Sequence, residues 1–239
     1  MARGDAAWFS FKGIESTDMG VWVARLPDIP LAEARGKAVE IPGRDGALWQ
    51  DDGAFRDIAL RVDIEVDWDA ELDEITAWLT GAGDLTLSTL EDYRYEARVV
   101  KGFDLKRGVY ARGWYRATVE FSCKPFRYQL GRPLMTPITQ PGSFRGRGTW
   151  FARPVITVYG SGDVNLLLNG DAVLLDGVDG HITLDCEAMM AFRDGVNVSP
   201  QVTILSDDDA WPRLNPGDNQ INWTGSVSRV VIQPNWRWR

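Results

Sequence analysis

Apolar and polar residues alternate with a period of two along much of this chain. That spacing turns one side of an extended strand into a core and the other towards solvent. The clearest case is Leu60, Val62, Ile64 and Val66, interleaved with Arg61, Asp63, Glu65 and Asp67. Tyr115, Ala117, Val119 and Phe121 repeat the pattern against Arg116, Thr118, Glu120 and Ser122. Shorter strands are predicted at 85–89, 95–100, 155–159, 164–168, 172–175, 181–186, 201–205 and 227–232.

One helix is predicted over 70–80, where Leu72, Ile75 and Leu79 share a face at i, i+3 and i+7 with Trp78 beside them. Asp69 is expected to cap its start and Gly81 to supply the left-handed residue after its end. Glu71, Asp73 and Glu74 complement the positive end of the helix dipole, which explains them better than a catalytic carboxylate pair does.

Between 132 and 154 the periodicity stops, and Pro133, Pro137, Pro141 and Pro154 mix with Gly142, Gly146 and Gly148. Proline fixes φ and removes a donor, so 132–153 reads as a semi-extended connector. Beyond it turn signals recur: Gly160-Ser161-Gly162-Asp163, Asn169-Gly170-Asp171, Asp176-Gly177, Asp179-Gly180, Asp194-Gly195 and Pro216-Gly217-Asp218. Asn169-Gly170 between two apolar runs is the strongest hairpin signal among them. The expected fold class is mainly β: an N-terminal domain over 1–131 containing the one helix, then a C-terminal antiparallel β-sandwich over 154–239.

Composition supports this without adding chemistry. The chain has 239 residues, 44% of them hydrophobic, enough for one or two packed cores. No apolar run reaches the roughly 18 residues of a membrane-spanning helix, so membrane insertion is not expected. Residues 1–20 lack the apolar stretch of a secretory signal, so export by that route is not expected either. The net charge is −8, and the acid surplus lies mostly in the first part: 17 basic and 23 acidic residues over 1–131, against 9 and 11 over 132–239. That balance disfavours specific nucleic-acid binding, which needs clustered cations.

Catalytic, cofactor and metal-ligating residues are each expected to be absent. His181 is the one histidine and opens an apolar strand, with no nucleophile elbow, P-loop or dinucleotide motif elsewhere. Cys123 and Cys186 lack the second sulfur or histidine of a zinc site and read as small buried hydrophobes. Asp163, Asp171, Asp176 and Asp179 sit in glycine-bearing turns; their spacing fits turn chemistry better than a calcium loop. Asp207-Asp208-Asp209 reads as a charged loop. A glycosidase pair can be imagined among 34 acidic residues but has no motif behind it. Trp211, Trp223, Trp236 and Trp238 could stack on sugars, although tryptophans more often anchor cores and interfaces. The sequons at Asn197 and Asn222 carry no weight without export.

The order of several segments resembles the distal tail protein family of siphophages. These are Phe9-Ser10-Phe11-Lys12-Gly13-Ile14-Glu15-Ser16 with Asp18-Met19-Gly20-Val21, then Ile41-Pro42-Gly43-Arg44-Asp45-Gly46 and Tyr93-Arg94-Tyr95-Glu96-Ala97-Arg98-Val99. Val119-Glu120-Phe121-Ser122-Cys123-Lys124-Pro125-Phe126 follows, and the second half continues with Ala152-Arg153-Pro154-Val155-Ile156, Leu214-Asn215-Pro216-Gly217-Asp218-Asn219 and Pro234-Asn235-Trp236-Arg237. The resemblance implies a non-enzymatic virion protein at the distal end of the tail, assembled in the host cytoplasm. It implies a homohexameric ring built by a tail-tube-like N-terminal domain, with a galectin-like β-sandwich outside it. The implied partners are the tail-tube protein and the tail-tip hub, with DNA passing through the lumen and no cofactor. Relatives clasp a neighbouring subunit with an arm. Residues 34–55, poor in apolar residues and turning at Gly43-Arg44-Asp45-Gly46, are the expected arm, with a surface loop as the alternative. The charged face of 60–67 and the acidic helix are expected at a lumen or rim, where acid would repel passing phosphates. An alternative function is a carbohydrate-binding receptor module in the C-terminal sandwich. About 90 residues after the connector leave no room for an inserted module.

Overall fold

The computed structural model describes residues 7–107, 113–206 and 211–239. It is mainly β, with one α-helix among the described residues, and divides into two compact units at Arg127/Tyr128, inside one long strand.

The first unit contains β1 (Phe9–Phe11), β2 (Ile14–Glu15), β3 (Val21–Arg25), β4 (Ala34–Glu40), β5 (Ala47–Phe55), β6 (Ile58–Val66), α1 (Leu72–Trp78), β7 (Gly81–Leu87), β8 (Tyr93–Val99), β9 (Lys106–Arg107) and most of β10 (Tyr115–Gln129). Its main sheet runs β2-β1-β7-β8-β10-β6-β3, with β9 joining β10. The β6–β10 ladder holds nine antiparallel pairs, from Ile58 opposite Cys123 to Val66 opposite Tyr115. The inward positions of β6 (Leu60, Val62, Ile64 and Val66) are buried, as the alternation predicts.

The helix is held by aromatic packing. Trp78 stacks on Phe9 at 5.5 Å between ring centroids, and Phe121 meets Phe9 and Phe11 edge-on at 5.7 and 5.2 Å. The indole N–H of Trp78 donates to the Phe11 carbonyl at 2.8 Å, so this buried ring leaves no polar atom unpaired. The helix is shorter than expected. It starts at Leu72, with Glu71 at the cap position and no side-chain cap bond, so Asp69 does not cap it. Lys12 closes the other end, donating from Nζ to the carbonyls of Trp78 and Thr80, where the dipole favours a cation.

The second unit holds β11 (Gly142–Gly146), β12 (Val155–Leu168), β13 (Asp171–Asp185), β14 (Met190–Arg193), β15 (Val196–Asn197), β16 (Val202–Leu205), β17 (Gly217–Gln233) and β18 (Arg237–Trp238). The sheet order is β11-β17-β12-β13-β14-β15, with β16 also on β13. Asn169-Gly170 makes the predicted tight turn, with φ of 56° and 99° and Leu168 facing Asp171. The four short strands expected on either side are two long ones. Gly160 to Asp163 and Asp176 to Gly180, predicted as turns, lie within β12 and β13, where the ladder shifts register between Gly162 and Val164. Their positive-φ glycines bend the ribbon instead of ending it. Side chains from both ends of the ribbon, including Ile156, Leu168, Val173 and Leu184, therefore pack into one core.

The stretch 132–153, expected as a semi-extended connector, is bonded along the second unit. Met135 N–H donates to the Ile232 carbonyl, Ile138 exchanges both bonds with Val230, and β11 pairs with β17. Its prolines break the periodicity, but Met135, Ile138 and Phe144 still reach the second core. The acidic run 207–209 lies outside the described residues.

Removing the aromatic clamp should be costly. Trp78→Ala is expected to lower unfolding stability by about 3–5 kcal/mol in urea denaturation of the full chain. A loss below about 1 kcal/mol would mean that the ring is not needed to hold α1.

Candidate functional site

The segment predicted as an arm is a two-stranded ribbon, β4–β5, which pairs with no third strand among the described residues. Most pairs of β4–β5 and of β3–β6 at its root count from the same turn at Gly43–Arg44, with a register shift where the two ladders approach each other, at Ala34/Gly36 and at Val23/Arg25. Ala38 faces Trp49 in the ribbon and Val21 faces Val66 in the sheet. The arm is thus the outer half of one hairpin whose inner half belongs to the body. The two halves separate where β3 gives way to Leu26-Pro27-Asp28-Ile29-Pro30-Leu31. Two prolines remove the donors that would continue the ladder.

Every residue from Glu40 to Gly53 is exposed, and the ribbon has no core to fold around. Its interior order comes from cross-strand contacts. Arg35 Nε donates to Asp52 at 2.9 Å, an ion pair that holds the carboxyl below and the guanidinium above their ordinary values. The Trp49 ring lies over Gly36, where an added Cβ would come within 2.8 Å of it. Alternation places Ala38, Trp49 and Ala47 on one face and Val39 and Leu48 on the other. Trp49 is 55% exposed and Leu48 48%, so both faces present apolar surface. At the root, Ile29 and Leu31 are exposed beside a groove along the edge of β6.

The outward face of β6–β10 is not a bare acidic surface. Each acid has a cross-strand partner: Arg61 meets Glu120 at 2.8 Å, Thr118 donates to Asp63 at 2.6 Å, and Arg116 meets Glu65 at 2.7 Å. Lys101 also reaches Glu120, and these two cations hold its carboxyl below the ordinary value. The acids of the helix, Asp69, Glu71, Asp73 and Glu74, remain exposed.

A second charge cluster had no signature in the sequence. Asp84 and Glu96 face each other across β7–β8, an unfavourable like-charge pair. Arg94, its side chain only 4% exposed, sits between them at 2.7 Å from Asp84 and 3.5 Å from Glu96, and Lys124 of β10 adds a contact to Glu96 at 2.7 Å. Burial pushes Glu96 up, but the bonds and charges of Lys124 and Arg94 outweigh it and hold the carboxyl below its ordinary 4.5. Three strands must be paired before these four groups meet.

The remaining candidates from the sequence are not brought together. His181 lies 3.7 Å from Asp194 and beside the Tyr159 ring, with its own carbonyl taken by Arg193. Cys123 and Cys186 are free and buried; burial lifts the Cys123 thiol to about 12 and raises that of Cys186 as well. Asp163 accepts from the Gly177 N–H at 2.9 Å, bracing the bend of the long ribbon. Among the described residues no three His, Cys, Asp or Glu side chains form a metal-binding group. Trp236 is buried, and Trp211, Trp223 and Trp238 pack against the same core.

No protein-family model and no curated protein matches the chain in sequence. In three dimensions it is similar to the Dit (gp 19.1) protein of SPP1, whose structure is titled a paradigm of the hub adsorption apparatus in Gram-positive-infecting phages. The TM-score is 0.75 at 17% identity, covering 95% of this chain and 98% of that one. The chain therefore has the fold of that protein across both units.

The depressed carboxyl of Glu96 gives a pH prediction. A group whose folded value is lowered stabilises above its unfolded value and loses that contribution as pH falls through the folded one. Glu96→Gln should melt below the unsubstituted protein at pH 7, and the gap should close as pH drops below the ordinary 4.5. A gap that persists at low pH would assign the effect to packing.

Proposed function

We propose that this chain is a structural, non-enzymatic protein at the distal end of a phage tail. Six copies close a ring there that joins the tail tube to the tip hub. The observation that carries the reading is the fold likeness to the SPP1 hub protein over 95% of the chain. The first unit is assigned the ring and the second, a galectin-like sandwich, the periphery.

The arm supports a ring made of its own copies. An isolated two-stranded ribbon with apolar residues exposed on both faces is marginally stable by itself, and beyond Gly53 towards the turn it has no core to pack on among the described residues. A neighbour can supply one, and a head-to-tail contact of two different surfaces closes into a ring when the rotation permits. The charge-paired face of β6–β10 fits a wall that neither holds nor strongly repels passing DNA, a milder lining than uncompensated acid would give. Host-sugar recognition by the second unit finds less support, because the tryptophans suited to stacking are packed against its core.

Light scattering across a concentration series, followed by negative-stain imaging, tests the reading. The expected species is a closed ring of six times 26.7 kDa, about 160 kDa. Dimers or open filaments would overturn it. Trp49→Asp should raise the concentration needed for assembly at least ~30-fold, the equivalent of ~2 kcal/mol for an interfacial aromatic, without lowering the melting temperature of the monomer.

A further inference from the structure

The second unit carries a groove that the ring reading does not use. One wall is β11, which pairs with β17 on one side and has no ladder partner on the other among the described residues. The opposite wall is the proline-bearing segment from Pro133 to Ile138, held to β17 by its bonds to Val230 and Ile232. Ile221 and Trp236, both nearly fully buried, line it between these walls.

The groove mixes apolar side chains such as Leu134, Met135 and Phe144 with uncharged polar ones such as Gln140 and Ser143, and its only charged groups are cations. Arg145 and Arg147 both line it, and its lining contains no carboxylate, in a chain whose net charge is −8. Asp218 stands opposite Arg145 in the β11–β17 ladder, but no ion pair closes between them. Phe144, just before Arg145, packs against the core of the unit, so Arg145 lies on the other face of the strand. An open strand edge offers backbone donors and acceptors that only another extended backbone satisfies in series.

We propose that this groove binds an extended segment of another protein, added as a further strand beside β11, with acidic residues at alternate positions and apolar residues between them. The acids meet Arg145 and Arg147, two residues apart, while the apolar positions face the side of Phe144 and Trp236. The arm of a second copy fits less well. The acids of β5, Asp51 and Asp52, are adjacent in sequence, and Asp52 is already paired with Arg35. Sugar binding is also less suited, since Trp236 is 5% exposed and offers no open ring face.

Fluorescence anisotropy with the full chain tests this, using a labelled nonapeptide of alternating Asp and Val and a Lys–Val counterpart. The acidic peptide is expected to bind at least ~10-fold more tightly than the basic one, with the gap shrinking as salt is raised. N-methylation of alternate backbone nitrogens should abolish binding while leaving charge intact. Arg145→Glu combined with Arg147→Glu should reverse the charge preference; both side chains are exposed, and an unchanged melting temperature confirms that the variant is folded. Equal binding of the two peptides, indifference to N-methylation, or no binding at about 1 mM would each overturn the proposal. A peptide of residues 47–55 binding as tightly as the Asp–Val probe would assign the groove to a second copy instead, and displacement by oligosaccharide would assign it to sugar. None of these readouts depends on ring formation, so the result stands apart from the mass measurement above.

Discussion

The antiparallel pairing of β6 with β10 is the constraint on which the first unit depends. Nine consecutive pairs fix which side chains enter the core, and a shift of one residue would exchange the buried valines and leucines for arginine, aspartate and glutamate. The same register brings Arg61 to Glu120 and Arg116 to Glu65 on the other face, so charge pairing and burial select a single alignment. β6 also continues directly from β5, separated by Arg56 and Asp57, so the orientation in which the arm leaves the body is set by the best-determined ladder in the unit. Phe121, on β10, carries the packing onward to Phe9, Phe11 and the helix.

Much of this was legible in the chain because period-two alternation is a local signal. Leu60 to Val66 and Tyr115 to Phe121 declare both strand and inward face, and Asn169-Gly170 declares a turn through the left-handed conformations it tolerates. Glycine was the ambiguous letter. Gly162, Gly177 and Gly180 have the same positive φ whether a strand ends or merely bends, and only the pairing of β12 with β13 distinguishes the two. The docking of the proline-rich stretch was not legible either: proline forbids a regular ladder, yet Ile138 and Met135 dock through the donors they retain.

The candidate surfaces divide along the same line. That residues 34–55 form no part of a core could be read because a segment too poor in apolar residues to make one is a property of the sequence itself, and the structure makes this segment a separate ribbon. Its apolar content on both faces, Trp49 and Ala38 against Leu48 and Val39, required the register. The Arg94 cluster and the groove beside β11 join groups distant in sequence, and no spacing rule links them. Long-range pairing creates such sites, so they become visible only after the fold is known.

That the arm and the body hairpin count outward from one turn has a bearing on how such a protein can change over evolutionary time. Insertions or deletions made symmetrically about Gly43–Arg44 alter the reach of the ribbon and leave every pair in the body where it was. An unmatched residue would have to be absorbed as a bulge, or would turn Trp49 to the opposite face. Reach is therefore a quantity that mutation can adjust in paired steps, while the sheet beneath is inherited intact.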